Sequence, residues 1–228
     1  AVGAGSDPVA GPARGAGRPA IPSADTPAPA TPTGLQVTAA SPDGISLVWD
    51  ALADDDTLYG YEVLRGSAAN GPYTLIATVT EPAFTDSDVE SGTTYYYVVR
   101  GVDLSFNRSG NSAEVSATAA LRTVSLVFNV TVPASTDATG RQVYIAGFLD
   151  RLEGNLPQWD PGGVVLARVD ATHWTITLAG VEGTQIEYKY ALGSWDYVEK
   201  GSACDEAANR QLTLAYGADG TQTVGDTV

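Results

Sequence analysis

From Pro32 onward the apolar residues of this chain fall into short alternating runs separated by turns. Alternation with period two puts successive side chains on opposite faces of a strand. In Ile45-Ser46-Leu47-Val48-Trp49, for example, it places Ile45, Leu47 and Trp49 on one face. Further runs at 34–38, 61–65, 73–77, 84–86, 95–100 and 112–117 bring the total to about seven strands in roughly ninety residues, the strand count of a β-sandwich. No helical periodicity interrupts them. A second set starts near Arg122, with runs at 124–130, 143–147, 173–178, 185–190, 209–214 and 220–224. In the third of these, Trp174 alternates with Ile176 and Leu178, which assigns it to a core. The expected fold is all-β, with two immunoglobulin-like sandwiches in tandem at 32–120 and 121–228.

Residues 1–31 break the pattern. They are almost entirely Ala, Gly, Pro, Ser, Thr and Val, with prolines at 8, 12, 19, 22, 27 and 29. Such a segment cannot bury a core and reads as a disordered, semi-extended linker. A linker in that position is expected to follow another domain. Between the two β-regions Ala120-Leu121-Arg122 offers no comparable spacer, so the sandwiches are expected to lie close together.

Charge excludes several functions. The chain carries 27 acidic against 12 basic residues, and its only lysines are Lys189 and Lys200. Nucleic acid and anionic membrane surfaces both require clustered Lys and Arg. No apolar run approaches the roughly 20 residues of a membrane-spanning helix. Cys204 is the sole cysteine, which rules out an internal disulfide. His173 is the sole histidine, and alone it builds neither a catalytic triad nor a metal site. Asp54-Asp55-Asp56 offers oxygen donors but fits no EF-hand spacing, and reads as a solvated loop. The glycines near the N-terminus do not follow a strand, so no phosphate-cradling loop is expected. No cofactor, metal or catalytic function is expected.

The first β-region resembles a fibronectin type III domain. The resemblance is carried by Trp49 at the end of a strand, by Gly60-Tyr61-Glu62-Val63-Leu64-Arg65 and by Ser91-Gly92-Thr93-Thr94-Tyr95. Tyr95 stands where that family's corner tyrosine bonds the backbone. The second region resembles the family 20 starch-binding modules, through an ordered series rather than one motif. The series runs Val127-Phe128-Asn129-Val130, Val143-Tyr144-Ile145-Ala146-Gly147, Gly154-Asn155-Leu156-Pro157-Gln158-Trp159, Ile186-Glu187-Tyr188-Lys189-Tyr190 and Asn209-Arg210.

This second resemblance implies a carbohydrate-binding site at Trp159, Lys189, Trp195, Glu199 and Asn209. Trp159 matches the loop tryptophan of the family's main sugar site, and Lys189 matches its strand lysine. Trp195 occupies a variant hairpin, 192–200, earlier than the family's usual second tryptophan. The chemistry is consistent: an exposed indole stacks on the C–H face of a sugar, while amide, carboxylate and ammonium groups bond its hydroxyls. Each residue also has an ordinary structural reading. Trp159 can anchor its loop and Trp195 can pack beneath its hairpin. Lys189 can be a solvated strand lysine, outward in either case because Tyr188 and Tyr190 take the other face. Glu199 can pair with Lys200 or Arg210, and Asn209 can hold a turn. The family's second site uses two tyrosines, whereas the matching places near 137–140 and 168–171 have none, so one main site is expected.

The resemblance implies a secreted, monomeric, non-catalytic fragment. It would tether an upstream catalytic domain of an amylase or pullulanase to an α-glucan such as starch, glycogen or maltooligosaccharides. The competing expectation is a pair of spacer or protein-docking domains without sugar binding.

Overall fold

The computed structural model describes residues 27–52 and 57–228. Most of the expected linker, and the Asp54-Asp55-Asp56 run, lie outside the described residues. The first seven strands are β1 (Gln36–Ser41), β2 (Gly44–Val48), β3 (Leu58–Gly66), β4 (Tyr73–Val79), β5 (Ala83–Asp86), β6 (Thr94–Asp103) and β7 (Val115–Thr118). They form a three-stranded sheet, β1-β2-β5, facing a four-stranded sheet, β4-β3-β6-β7. Every pairing within them is antiparallel.

The period-two reading of β2 holds. Ile45, Leu47 and Trp49 are all buried, and Trp49 meets Tyr61 edge-on with ring centroids 5.4 Å apart. Tyr95 closes its corner by accepting the Glu90 N–H through its hydroxyl at 2.9 Å. Buried charge here is neutralised within the sandwich, as low-dielectric burial requires. Asp86 takes Arg65 at 2.9 Å and the Tyr97 hydroxyl at 2.9 Å. Burial, then the neighbouring Asp86, drives the Tyr97 phenol far above its ordinary range. Glu62 is bonded by both Arg108 and Arg100, and Arg108 leads in holding its carboxyl below the usual value.

The second group contains β8 (Thr123–Thr131), a short helix α1 (Ala134–Ala138), β9 (Tyr144–Gly147), β10 (Val164–Val165), β11 (Ala167–Arg168), β12 (His173–Val181), β13 (Gln185–Ala191), β14 (Arg210–Thr213) and β15 (Thr221–Thr227). One sheet is ordered β11-β12-β8-β15 and the other β10-β9-β13-β14. The final strand lies parallel to β8, which brings Asp226 to the hydroxyls of Tyr188 and Tyr190 at 3.0 and 2.8 Å. Those two tyrosines take the inner face of β13, where Phe128 packs edge-on to Tyr188 at 5.0 Å. Trp174 is buried in the same core, as its alternation predicts.

Only residues 119–122 separate β7 from β8, and the seam between the sandwiches is polar. The Glu182 carboxylate accepts from the Ser91 hydroxyl and, at 2.9 Å, from the Arg122 N–H. Arg122 also reaches Asp43 at 3.1 Å and lies over the Tyr216 ring at 5.1 Å.

Candidate carbohydrate site

The site is built on the outer face of the β9-β13-β14 sheet. At the end of β9 the chain must pass close to β13. A Cβ on Gly147 would stand 2.1 Å from the Glu187 carbonyl oxygen, so a side chain there would force the strands apart. The next residue, Phe148, begins a loop that returns to the same point, where the Trp159 N–H donates to the Gly147 carbonyl at 2.8 Å. Asp160 tightens the return by accepting the Gly162 N–H at 3.0 Å, an Asx-type turn. Trp159 has φ of +48°, an unusual conformation for a bulky residue. Its half-buried indole thereby lies edge-on to Phe148, with centroids 5.4 Å apart.

Trp195 arrives from a second loop. After β13 the chain forms a hairpin, closed by an Ala191–Val198 bridge and by the Leu192 N–H donating to the Tyr197 carbonyl at 3.0 Å. Gly193, at φ +93°, makes the reversal possible without Cβ strain. Trp195 opens a single 3-10 turn at 195–197 and stays 45% exposed. Its ring centroid is 6.3 Å from that of Trp159, with the planes tilted by 40°. Phe148, Trp159 and Trp195 therefore form one continuous aromatic ledge.

The polar residues divide. Asn209 is exposed, and its amide donates to Glu187 at 3.1 Å. Gln211, two residues on and on the same face, donates to the other oxygen of Glu187 at 3.2 Å. Lys189 points to this outer face, opposite Tyr188 and Tyr190, but it is only 6% exposed, contrary to the expectation of a solvated lysine. It sits on a central strand between β9 and β14, and Glu206 comes back from the following loop to accept its ammonium at 3.1 Å. Lys189 in turn holds the Glu206 carboxyl below its ordinary value.

Glu199 does not join this group. It is 7% exposed, and its carboxylate accepts the Tyr190 N–H at 3.0 Å and the Arg210 guanidinium. The hairpin register turns residue 199 inward, so of the two structural readings open from sequence, pairing with Arg210 is the one realised. Arg210 itself is shared with Asp226 at 3.4 Å and the Thr227 carbonyl at 3.1 Å.

Sequence reading missed Phe148, Glu187, Gln211 and Glu206. The first three were legible in principle. Alternation within β13 and along 209–213 puts Glu187 and Gln211 on the face that carries Lys189 and Asn209, and extending that of β9 by one step adds Phe148. Glu206 had no local signal, because its role depends on a loop folding back.

Near 137–140 and 168–171, where the starch-binding resemblance would put a second site, Arg168 pairs with Asp137 at 2.6 Å. Beside them lies an open groove of about 520 Å³, which Trp174 also borders. Nearby, Asp170 is held down to about 2, first by the Thr172 N–H and then by His173. Among the described residues no group of three or more His, Cys, Asp or Glu side chains could hold a metal ion, and no helix is long and apolar enough to cross a membrane.

No family model matches the chain. It is similar to an amylopullulanase of Thermoanaerobacter thermohydrosulfuricus, 39% identical over 212 residues that cover 91% of this chain and 14% of that protein. An alpha-amylase of Niallia circulans is 31% identical over 78% of this chain and 13% of its own length. The chain thus spans about one seventh of the length of these relatives. Exoglucanase B of Cellulomonas fimi is 37% identical over 94 residues, 41% of this chain and 8% of its own. Among solved structures, an Fn3-like protein from Clostridium thermocellum is 40% identical, covering 40% of this chain and 92% of that one, with a TM-score of 0.35.

Proposed function

We propose that this chain is a non-catalytic accessory region of a secreted starch-degrading glycoside hydrolase. In this reading a fibronectin type III-like sandwich at 32–120 is followed by a starch-binding sandwich at 121–228 that holds α-glucan on the Trp159–Trp195 ledge. The observation that carries the proposal is the pairing of these two indoles, 6.3 Å apart and tilted by 40°, with Trp195 45% exposed. A contiguous exposed aromatic surface rimmed by polar side chains, here Asn209 and Gln211, is the kind of patch that marks a binding site. A tilt between the rings suits the curvature of an α-1,4-glucan, because successive sugars along such a chain turn relative to one another. Asn209 supplies the amide at the rim. Lys189 positions the carboxylate of Glu206, whose side chain is 78% exposed, and Glu199 is a supporting residue rather than a sugar contact. Similarity over 91% of the chain to part of an amylopullulanase agrees with this assignment. The benefit to the parent enzyme would be a raised effective concentration on the polymer, with no new chemistry.

Calorimetric titration with β-cyclodextrin or maltoheptaose tests the proposal. Binding in the millimolar range or tighter is expected. Trp159→Ala should weaken it at least roughly tenfold, as loss of a central aromatic anchor does, while leaving the melting temperature close to that of the parent. Absence of binding at millimolar ligand, or full binding by the variant, would rule the site out.

A further inference from the structure

The aromatic ledge does not end at Phe148. Beyond it, on the outer face of β13 and β14, runs an open groove of about 300 Å³ bordered by Phe148, Arg151, Gln185, Glu187, Gln211 and Thr213. On β13 its lining begins at Glu187, two residues before Lys189, and reaches Gln185, two residues further on, roughly 7 Å at the strand rise of about 3.4 Å.

The walls are suited to hydroxyl-bearing ligands. Glu187 accepts one N–H each from the amides of Asn209 and Gln211. That bonding fixes both amides and leaves each a carbonyl oxygen and a second N–H to offer, since a primary amide has two donors and an acceptor. Arg151 stacks over the Phe148 ring at 4.4 Å and donates to the Gln185 carbonyl at 2.7 Å. The stacking and that one bond orient the guanidinium, which has five N–H donors in all. The ledge therefore passes from bare indole, through a ring capped by a guanidinium, into a strip of oriented amides. One sugar can use stacking and hydroxyl bonding together; a surface that carries both past the tryptophan pair has room for further units of a polymer.

We infer that this groove is a second set of subsites, continuous with the tryptophan pair, which binds further glucose units of the same α-glucan chain and makes the site selective for longer oligosaccharides. Arg151 and Gln211 supply the hydrogen bonds and Phe148 the floor. The inference rests on the proposed reading of the Trp159–Trp195 ledge and adds ligand length to it.

The test compares maltotriose with maltoheptaose by calorimetry on the whole chain and on three variants, Arg151→Ala, Gln211→Ala and Trp159→Ala, each checked for an unchanged circular dichroism spectrum. The parent is expected to bind maltoheptaose more tightly. Gln211→Ala and Arg151→Ala should each weaken maltoheptaose roughly three- to tenfold, the equivalent of one hydrogen bond, and leave maltotriose unchanged. Gln211 lies exposed on the edge strand β14, so its truncation keeps the test valid if loss of Arg151 disturbs the loop. Equal affinity of the parent for both lengths, or variants that lose both ligands equally or neither, would overturn the subsites while leaving the tryptophan site standing. Unchanged binding of both lengths by Trp159→Ala would instead remove the ledge on which the inference depends.

Discussion

The two sandwiches solve the same packing problem and treat their surfaces differently. In the first, the charged side chains that the fold draws inward close on one another: Asp86 with Arg65 and Tyr97, and Glu62 with Arg100 and Arg108. In the second, the inward charges also close, with Glu199, Arg210 and Asp226 around the Tyr188–Tyr190 pair. Its outer sheet face, however, is overlaid by two loops that leave the Trp195 ring 45% exposed and the Trp159 ring half-buried beside it. Architecture alone therefore does not distinguish the two surfaces. The loops at 148–163 and 191–200 do, by adding an aromatic layer outside a core that is already complete, and it is this layer that the proposed function uses.

If that separation between core and ledge is real, breaking the core cluster must cost stability and breaking the ledge must cost binding. The largest effect is expected for Glu199→Ala. It removes the acceptor for Arg210 and for the Tyr190 N–H inside the fold. Loss of one partner of a buried ion pair costs 3–5 kcal/mol; with Arg210 24% exposed, about 2–3 kcal/mol is expected here. Urea titration followed by tryptophan fluorescence measures it. A Glu199→Ala variant of parental stability that has lost sugar binding would return Glu199 to the site and erase the distinction.

The seam between the sandwiches gives a smaller effect with a defined pH dependence. The Ser91 hydroxyl first, and the Arg122 N–H second, hold the Glu182 carboxyl below its ordinary value of 4.5. A depressed carboxylate contributes stability above its unfolded pKa and loses it as pH falls through the folded one. The seam is therefore expected to be constant from neutral pH to about pH 5 and to loosen only below the ordinary carboxylate range near pH 4. Amide chemical shifts of Ser91 and Arg122 followed by NMR should move together in that low window, and Glu182→Gln should produce part of the same change at neutral pH. Shifts that move near pH 6 would assign the seam to another group.

Much of the fold was legible because strand alternation is a local signal with an unambiguous consequence. Ile45, Leu47 and Trp49, or Tyr188 and Tyr190, could share a face in only one way. Trp174 was placed by the same reasoning, and Tyr95 by the resemblance to the fibronectin type III pattern. The short strands β10 and β11 escaped, since two residues cannot display a period. The depth of Lys189 escaped for a different reason. Alternation gives the face of a residue, while its burial depends on what lies across that face, here a central strand position and a loop that delivers Glu206 from 17 residues away. Glu199 likewise needed Arg210, a partner on another strand. Sequence could nominate Trp159 and Trp195 separately, but the meeting of their loops is a tertiary fact.

The smallest expected effect is the sharpest probe of the comparison. The first sandwich also exposes an aromatic pair, Tyr59 and Phe106, at 48% and 64% exposure, with centroids 5.9 Å apart and planes tilted by 52°. By ring geometry alone it rivals the tryptophan pair. Its surroundings differ. Phe106 rides a turn at φ +64° in which the buried Asp103 carboxylate accepts the Ser105 and Asn107 N–H groups, each at 2.8 Å. Arg108, on the same loop, is committed to Glu62 at 2.9 Å. Those polar groups serve the turn and the sheet, whereas Asn209 and Gln211 present oriented amides beside the ledge. If recognition needs stacking and hydroxyl bonding together, Phe106→Ala should leave the maltoheptaose affinity unchanged within about twofold, under 0.5 kcal/mol. The same titration that registers Trp159→Ala reads it out. A loss comparable to that of Trp159→Ala would mean that exposed rings suffice and that both sandwiches grip the polymer.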